Sequence, residues 1–177
     1  MKCIKNLVFI IIALGLCSGC AITKSYGPYM GKVVVKETEE PIEGAVVFMR
    51  FYTEGIYSVT DFADAVEVLT DANGEFNIKH RVFAFRPFQV WQPHSQTIIF
   101  KPGYGAFPRH RGTSISQWQD GEFPENQYVT IKLPKLKTRE GRRDNLSNLY
   151  PGSAPPEAYR TLQSLEEIER KAVGLNP

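Results

Sequence analysis

Between Gly31 and Leu133 the chain repeats one pattern: short runs of β-branched and aromatic residues, each cut off by Gly, Pro, Asn or Asp. Residues 32–36 (KVVVK), 45–52 (AVVFMRFY), 65–69 (AVEVL), 97–101 (TIIFK) and 128–133 (YVTIKL) are strand-length and rich in strand-forming side chains. A charged turn at 37–41 separates the first two. After 65–69 comes Thr70-Asp71-Ala72-Asn73-Gly74, in which Asn and Gly tolerate positive φ. Phe76 and Ile78 then alternate with Glu75, Asn77 and Lys79. Residues 53–64, with Gly55 and two aspartates, read as a long loop. Residues 82–91 are aromatic, but Pro87 and Pro93 make them an edge segment, and 104–127 read as a long insertion without periodicity. Six or seven such strands predict an all-β fold, a small two-sheet β-sandwich spanning 31–134.

Length allows one domain of this kind plus attachments. The whole chain has 177 residues, with 21 Lys and Arg against 19 Asp and Glu. That balance speaks against a nucleic-acid partner, which would call for a strongly basic surface. All three cysteines, Cys3, Cys17 and Cys20, fall within the first twenty residues. That same stretch carries Lys2 and Lys5, an apolar run over 7–16 (LVFIIIALGL) and then Cys17-Ser18-Gly19-Cys20. A basic start, a short apolar run and small residues before a cut site make a secretory leader. The run is too short to span a bilayer, which takes about 20 residues.

The end of this leader resembles the lipobox of bacterial lipoproteins. Ser18-Gly19-Cys20 supply its last three positions, and Cys17 departs from the pattern by standing where leucine is commonest. The resemblance implies cleavage after residue 19, a thioether-linked diacylglycerol on Cys20 and an acyl chain such as palmitate on its amine. Ala21 in place of Asp implies sorting to the outer membrane, facing the periplasm. Independently, an exported body with one unpaired thiol would be anomalous, because cysteines outside the cytosol normally pair. Lipidation would occupy that thiol, and two or three chains anchor stably where one does not. Without residues 1–19 the chain has 19 basic and 19 acidic side chains and no net side-chain charge. Residues 20–30, broken by Gly27-Pro28, read as a tether.

After the last strand the composition turns basic and then Pro-rich, so 135–156 read as a linker. Lys135, Lys137, Arg139, Arg142 and Arg143 could touch anionic lipid or a partner, and a solvated linker explains them as well. Residues 157–174 form an amphipathic helix, with Ala158, Leu162, Leu165, Ile168 and Ala172 on one face and Gly174 at its end. A helix of that length is marginal alone, so its stripe should dock on something.

Residues 31–133 also resemble the carboxypeptidase regulatory-like domain, a prealbumin-like (transthyretin-like) β-sandwich. Gly31-Lys32-Val33-Val34, 41–47 (PIEGAVV), 70–76 (TDANGEF) and Lys101-Pro102-Gly103-Tyr104 carry the resemblance in family order. Such a domain is accessory and does not catalyse; in bacterial envelopes it serves as a folding, spacing or binding unit. The longer segments after the second strand and from 105 to 127 depart from the family pattern.

No residue pattern points to catalysis. His80, His94 and His110 begin neither H-x-x-E nor H-E-x-x-H, G-x-S-x-G is absent, and the mature chain would offer no cysteine nucleophile. The C-terminal Tyr-Arg-Gly-Ser of the prealbumin-like hydroxyisourate hydrolases is missing. Asp71 and Asn73 are too few oxygens for a calcium loop, and a plain turn explains them. Neither a catalytic residue, a metal nor a cofactor is expected. The expectation is a membrane-anchored lipoprotein acting as a structural or protein-interaction module, with an envelope protein as partner. The alternative is a glycan- or peptidoglycan-binding lipoprotein. Tyr104, Arg109, Arg111 and Trp118 in the insertion combine guanidinium forks for anions with aromatic faces for sugars.

Overall fold

The computed structural model describes residues 23–86, 88–117 and 123–175. The leader 1–19, Cys20 and Trp118 lie outside the described residues. Eight strands form two sheets: β1 (Thr23–Val35), β2 (Val46–Glu54), β3 (Thr60–Leu69), β4 (Glu75–Phe83), β5 (Val90–Trp91), β6 (Gln96–Phe100), β7 (Ser114–Ile115) and β8 (Tyr128–Leu133). The first sheet has the order β4-β1-β8-β7. β1 is antiparallel to β4 and parallel to β8. In the second sheet β2 pairs with β3 on one edge, and with β6 and then β5 on the other. The architecture is therefore mostly β with two sheets, as expected, and it carries helix as well.

Three boundaries differ from the sequence reading. Residues 23–30 are strand rather than tether, because Tyr26 and Tyr29 are buried in the inter-sheet core. Gly27-Pro28 sits where the register with β4 shifts, so the break that it signals is a bulge within β1. The loop at 53–64 shrinks to 55–59, since β2 continues to Glu54 and β3 starts at Thr60. Of the aromatic stretch after His80, Val82 and Phe83 belong to the end of β4, and Val90 and Trp91 pair separately as β5.

The turns behave as their residues dictate. Asp71 Oδ1 accepts from the amides of Asn73 and Glu75 at 2.9 and 2.8 Å, so the carboxylate is used up in organising the turn. Gly74 closes it at φ +74°, where a Cβ would come within 2.5 Å of the Val33 carbonyl oxygen. Buried Thr70 ties this turn to the next loop, donating to the Ile42 carbonyl and accepting from the Ala45 amide.

β2 is buried on both faces, which explains its nearly unbroken apolar sequence. Val47, Met49 and Phe51 face the first sheet and share one core with Tyr29, Val33, Ile131 and others. Val46 and Phe48 face the other way, into a second core with Ile98, Phe100, Leu149 and Leu162. The cover of this second core is the C-terminal segment: helix α1 (Arg139–Asn145) and helix α2 (Arg160–Ala172), with short 3-10 turns between them. The region 135–156 is thus packed structure and not a free linker. Burying Leu162 alone stabilises by about 1.5–3 kcal/mol.

Polar groups fix how α2 docks. Glu67 of β3 accepts from the amides of Thr161 and Leu162 at 2.8 and 2.7 Å, capping the helix with a carboxylate from the sheet. At the other end Glu169, fully buried, receives a two-pronged contact from Arg142 at 2.8 and 2.6 Å and the Gly103 amide at 3.0 Å. Arg139 Nε donates to the Val173 carbonyl. The buried stripe is therefore Leu162, Leu165, Glu169 and Val173, while Ile168, expected inside, is 54% exposed. The helix is rotated from the hydrophobic reading because Arg142 neutralises a buried carboxylate that the pattern placed outside.

Candidate functional site: an arginine cleft at a sheet edge

A single cation interrupts the apolar run of β2. Arg50 lies on the outer face of the second sheet and is only 6% exposed. Its guanidinium carbon is 5.8 Å from the centre of the Phe48 ring. Its Nη1 rests over Gly152, where an added Cβ would come within 2.4 Å of it, so the C-terminal segment has a bare backbone at this point. In the ladder Arg50 stands opposite Gln96 of β6.

β6 has β2 on one edge. On its other edge Phe107 takes both backbone hydrogen bonds of Ile99, at 3.1 and 3.0 Å. The alternation of an antiparallel ladder turns the backbone of Thr97 toward this same edge. There a cleft of about 220 Å³ opens, walled by Arg50, Ser95, Thr97, Arg109 and Phe123.

Three buried polar atoms on this wall, Arg50 Nε, Ser95 Oγ and Thr97 Oγ1, have no hydrogen-bond partner. Ser95 Oγ lies beside the Tyr29 hydroxyl, which itself donates to Glu125 at 2.7 Å. Leaving such an atom unsatisfied costs about 1–3 kcal/mol, so a cluster of three in one cleft calls for an explanation. Electrostatics point the same way. Burial pushes the Arg50 guanidinium below its ordinary pKa and the Arg109 charge adds to this, against the opposing effect of Tyr52. Among the described residues no carboxylate pairs with Arg50 or Arg109. Arg109 is exposed and lies 5.8 Å from the Tyr150 ring centre. Among the described residues, two cations without a carboxylate partner and two hydroxyls thus line one edge of the sheet, a lining whose chemistry suits an anionic oxygen group such as a carboxylate or phosphate.

Of the three described insertion residues named from sequence, Tyr104, Arg109 and Arg111, the structure brings Arg109 to this cleft. Tyr104 is half-buried against the inter-sheet core, bridges to Lys135 and gives its carbonyl to Asn145 Nδ2. Arg111 is exposed near His110 and Lys36. The His110 ring is held below its usual pKa by burial and by these two cations, and it accepts from the Gly112 amide at 3.0 Å. Sequence reasoning missed Arg50, Ser95 and Thr97. A usable signal was present, since an arginine amid a strand reading as buried on both faces must be accommodated somehow. Among the described residues no three His, Cys, Asp or Glu side chains gather as metal ligands.

Set against protein-family models, curated proteins and solved structures, the chain matches none.

Proposed function

We propose that this chain is a lipid-anchored, non-catalytic module of a bacterial cell envelope that holds a ligand by an anionic group, a glycan carrying carboxylate or phosphate being the class that fits. The observation carrying the ligand part is that Arg50, Ser95 and Thr97, each with a buried side-chain polar atom that lacks a hydrogen-bond partner, line one cleft with Arg109. The ladder sets Arg50, opposite Gln96, and Thr97, opposite Met49, on opposite faces of the second sheet, so an anionic group at the open edge of β6 would take the hydroxyls from one side and a guanidinium fork from the other, which no neutral sugar would use as well. The anchor part rests on Ser18-Gly19-Cys20 and on the lack of any cysteine after it. The two-sheet fold and the positive-φ glycines Gly44 and Gly74 support kinship with carboxypeptidase regulatory-like domains.

The ligand reading is tested by co-sedimentation with purified peptidoglycan sacculi, and by amide line shifts at Ser95 and Thr97 on adding inorganic phosphate. Arg50→Met and Arg109→Ala should each abolish the response. Replacing a buried, unpaired charge by an apolar side chain of similar length is often neutral or stabilising, so Arg50→Met should keep or raise Tm while losing the ligand. Neither sedimentation nor shifts at millimolar phosphate would remove the ligand proposal. For the anchor, Cys20→Ser should release the protein from membranes; retention of the unaltered chain without any lipid label would overturn it.

A further inference from the structure

The N-terminal end of β1 lies at one end of the sandwich, together with the 55–59 and 84–89 loops. Thr23 pairs with Phe83, the last residue of β4, and Val90 pairs with Glu54, the last residue of β2. The loops are stitched together: Gln89 bonds Thr53 at 2.5 Å and Asp61 at 2.6 Å, and Arg86 reaches the Phe62 carbonyl at 3.3 Å. Yet their apolar side chains face outward. Tyr57, Val59, Phe83, Phe85, Phe88 and Val90 are all exposed, Tyr57 by 95% and Phe88 by 87%. Six of the ten large apolar side chains exposed among the described residues thus sit at this one end. Scattered exposed apolar residues are ordinary, whereas a concentration of them marks a contact surface.

The backbone adds a second observation. Tyr57 and Phe88 have φ of +66° and +65°. Left-handed backbone at an aromatic residue is uncommon, and these two side chains recover nothing by burial within the fold. Exposed Arg81 and Arg86 flank the patch, with Lys24 half-exposed beside them. The acids near it are Asp61, held by Gln89, Glu54 at the end of β2, and Glu125, whose charge acts on Lys24.

We infer that this aromatic end is a membrane-docking surface, inserted at the headgroup level of the leaflet that holds the chain. The inference rests on the lipid-anchor reading for its occupant. Cys20 precedes Thr23 by three residues, a span of at most about 11 Å. An acyl-bearing Cys20 therefore keeps this end, and no other, against the headgroups. Aromatic rings favour that interface, and the flanking cations suit anionic lipid. The domain then stands on the membrane by its loop end, with its 37–44 and 70–74 turns farthest away, instead of swinging on a free tether.

The test uses the full-length, processed protein in vesicles of phosphatidylethanolamine and phosphatidylglycerol. A body without other cysteines allows a single reporter: Phe88→Cys carries an environment-sensitive fluorophore, with Glu43→Cys as the distal control. Mass analysis of the N-terminal peptide reports acylation separately. With Cys20 acylated, a blue-shifted signal at 88, quenched by lipid-borne quencher, and an aqueous signal at 43 are expected. An aqueous signal at both positions overturns the docking surface and leaves the anchor standing. If Cys20 carries no lipid, the anchor reading fails, and flotation of the unmodified chain with the same vesicles decides the surface. Flotation lost in Phe85→Ser with Phe88→Ser supports it. No flotation, or flotation unchanged by those substitutions, overturns it, as does a reporter shifted only by a protein partner.

Discussion

The pair Glu169–Arg142 offers the sharpest test of how the C-terminal cover is held. The Glu169 side chain has no exposed surface, while Arg142 keeps 27% of its own. The two substitutions should therefore be unequal. Arg142→Met strands a buried carboxylate with only the Gly103 amide to solvate it, and breaking a buried pair from one side costs about 3–5 kcal/mol. Glu169→Met removes the buried charge itself and frees Arg142 to turn toward water. Its cost is the orphaned Gly103 amide and some repacking, about 1–3 kcal/mol. Once Glu169 is apolar, losing Arg142 matters little, so the double variant should cost about as much as Glu169→Met alone and fall roughly 3–5 kcal/mol short of the sum of the singles. Urea denaturation of the chain from Ala21 onward, at constant m-value, gives the cycle. Additive singles, or a Glu169 variant costlier than the Arg142 variant, would show that the pair is not what secures the helix.

Other outcomes follow from named contacts. Glu67→Ala leaves two amides of the first turn of α2 unsatisfied and should cost about 2 kcal/mol, with faster hydrogen exchange confined to 160–173; unchanged exchange there would refute the cap. Gly74→Ala forces a Cβ against the Val33 carbonyl at positive φ and should cost more than 1 kcal/mol in thermal melts, whereas an unchanged Tm would contradict the turn geometry. Burial first, and then the Glu125 charge, pushes Tyr26 up to about 12, and burial raises Tyr29 further. Both phenols gain protons on folding, so stability is full below pH 10 and falls as pH rises through about 12, by about 1.4 kcal/mol per pH unit for each phenol that is ionised only when unfolded. Far-UV CD melts against absorbance at the tyrosinate band check this, and stability flat to pH 12 would refute it.

What the sequence disclosed and what it withheld divide along the periodicity of burial. Strands with one wet face, such as β4 with Phe76 and Ile78 inward, alternate and are plain to read. Strand β2 is apolar on both sides, which a run such as AVVFMRFY registers, but the run cannot say what covers the second face. Part of that cover, Leu149 and Ala154, came from residues that read as linker, because α1 is short and basic and its key side chains act on a distant helix. Glu169 and Asn145, both buried, are polar anchors that a hydrophobic pattern assigns to solvent. The same blindness hid the cleft, since Arg50 belongs to β2 whereas Thr97 lies in β6 and Ser95 just before it, and they are brought near only when the two strands pair. Arg109 was identifiable because it is exposed in an aperiodic segment whose packing falls to its neighbours Ala106 and Phe107.

The placement of β1 has a mechanical consequence. It is the first strand after Cys20, yet it lies in the interior of its sheet, bonded to β4 on one side and running parallel with β8 on the other. A pull arriving from the N-terminus would run along the strand, straining the ladders on both flanks together instead of peeling them one bond at a time. A protein hung by its first residue would thus meet tension with the strand that is hardest to draw out.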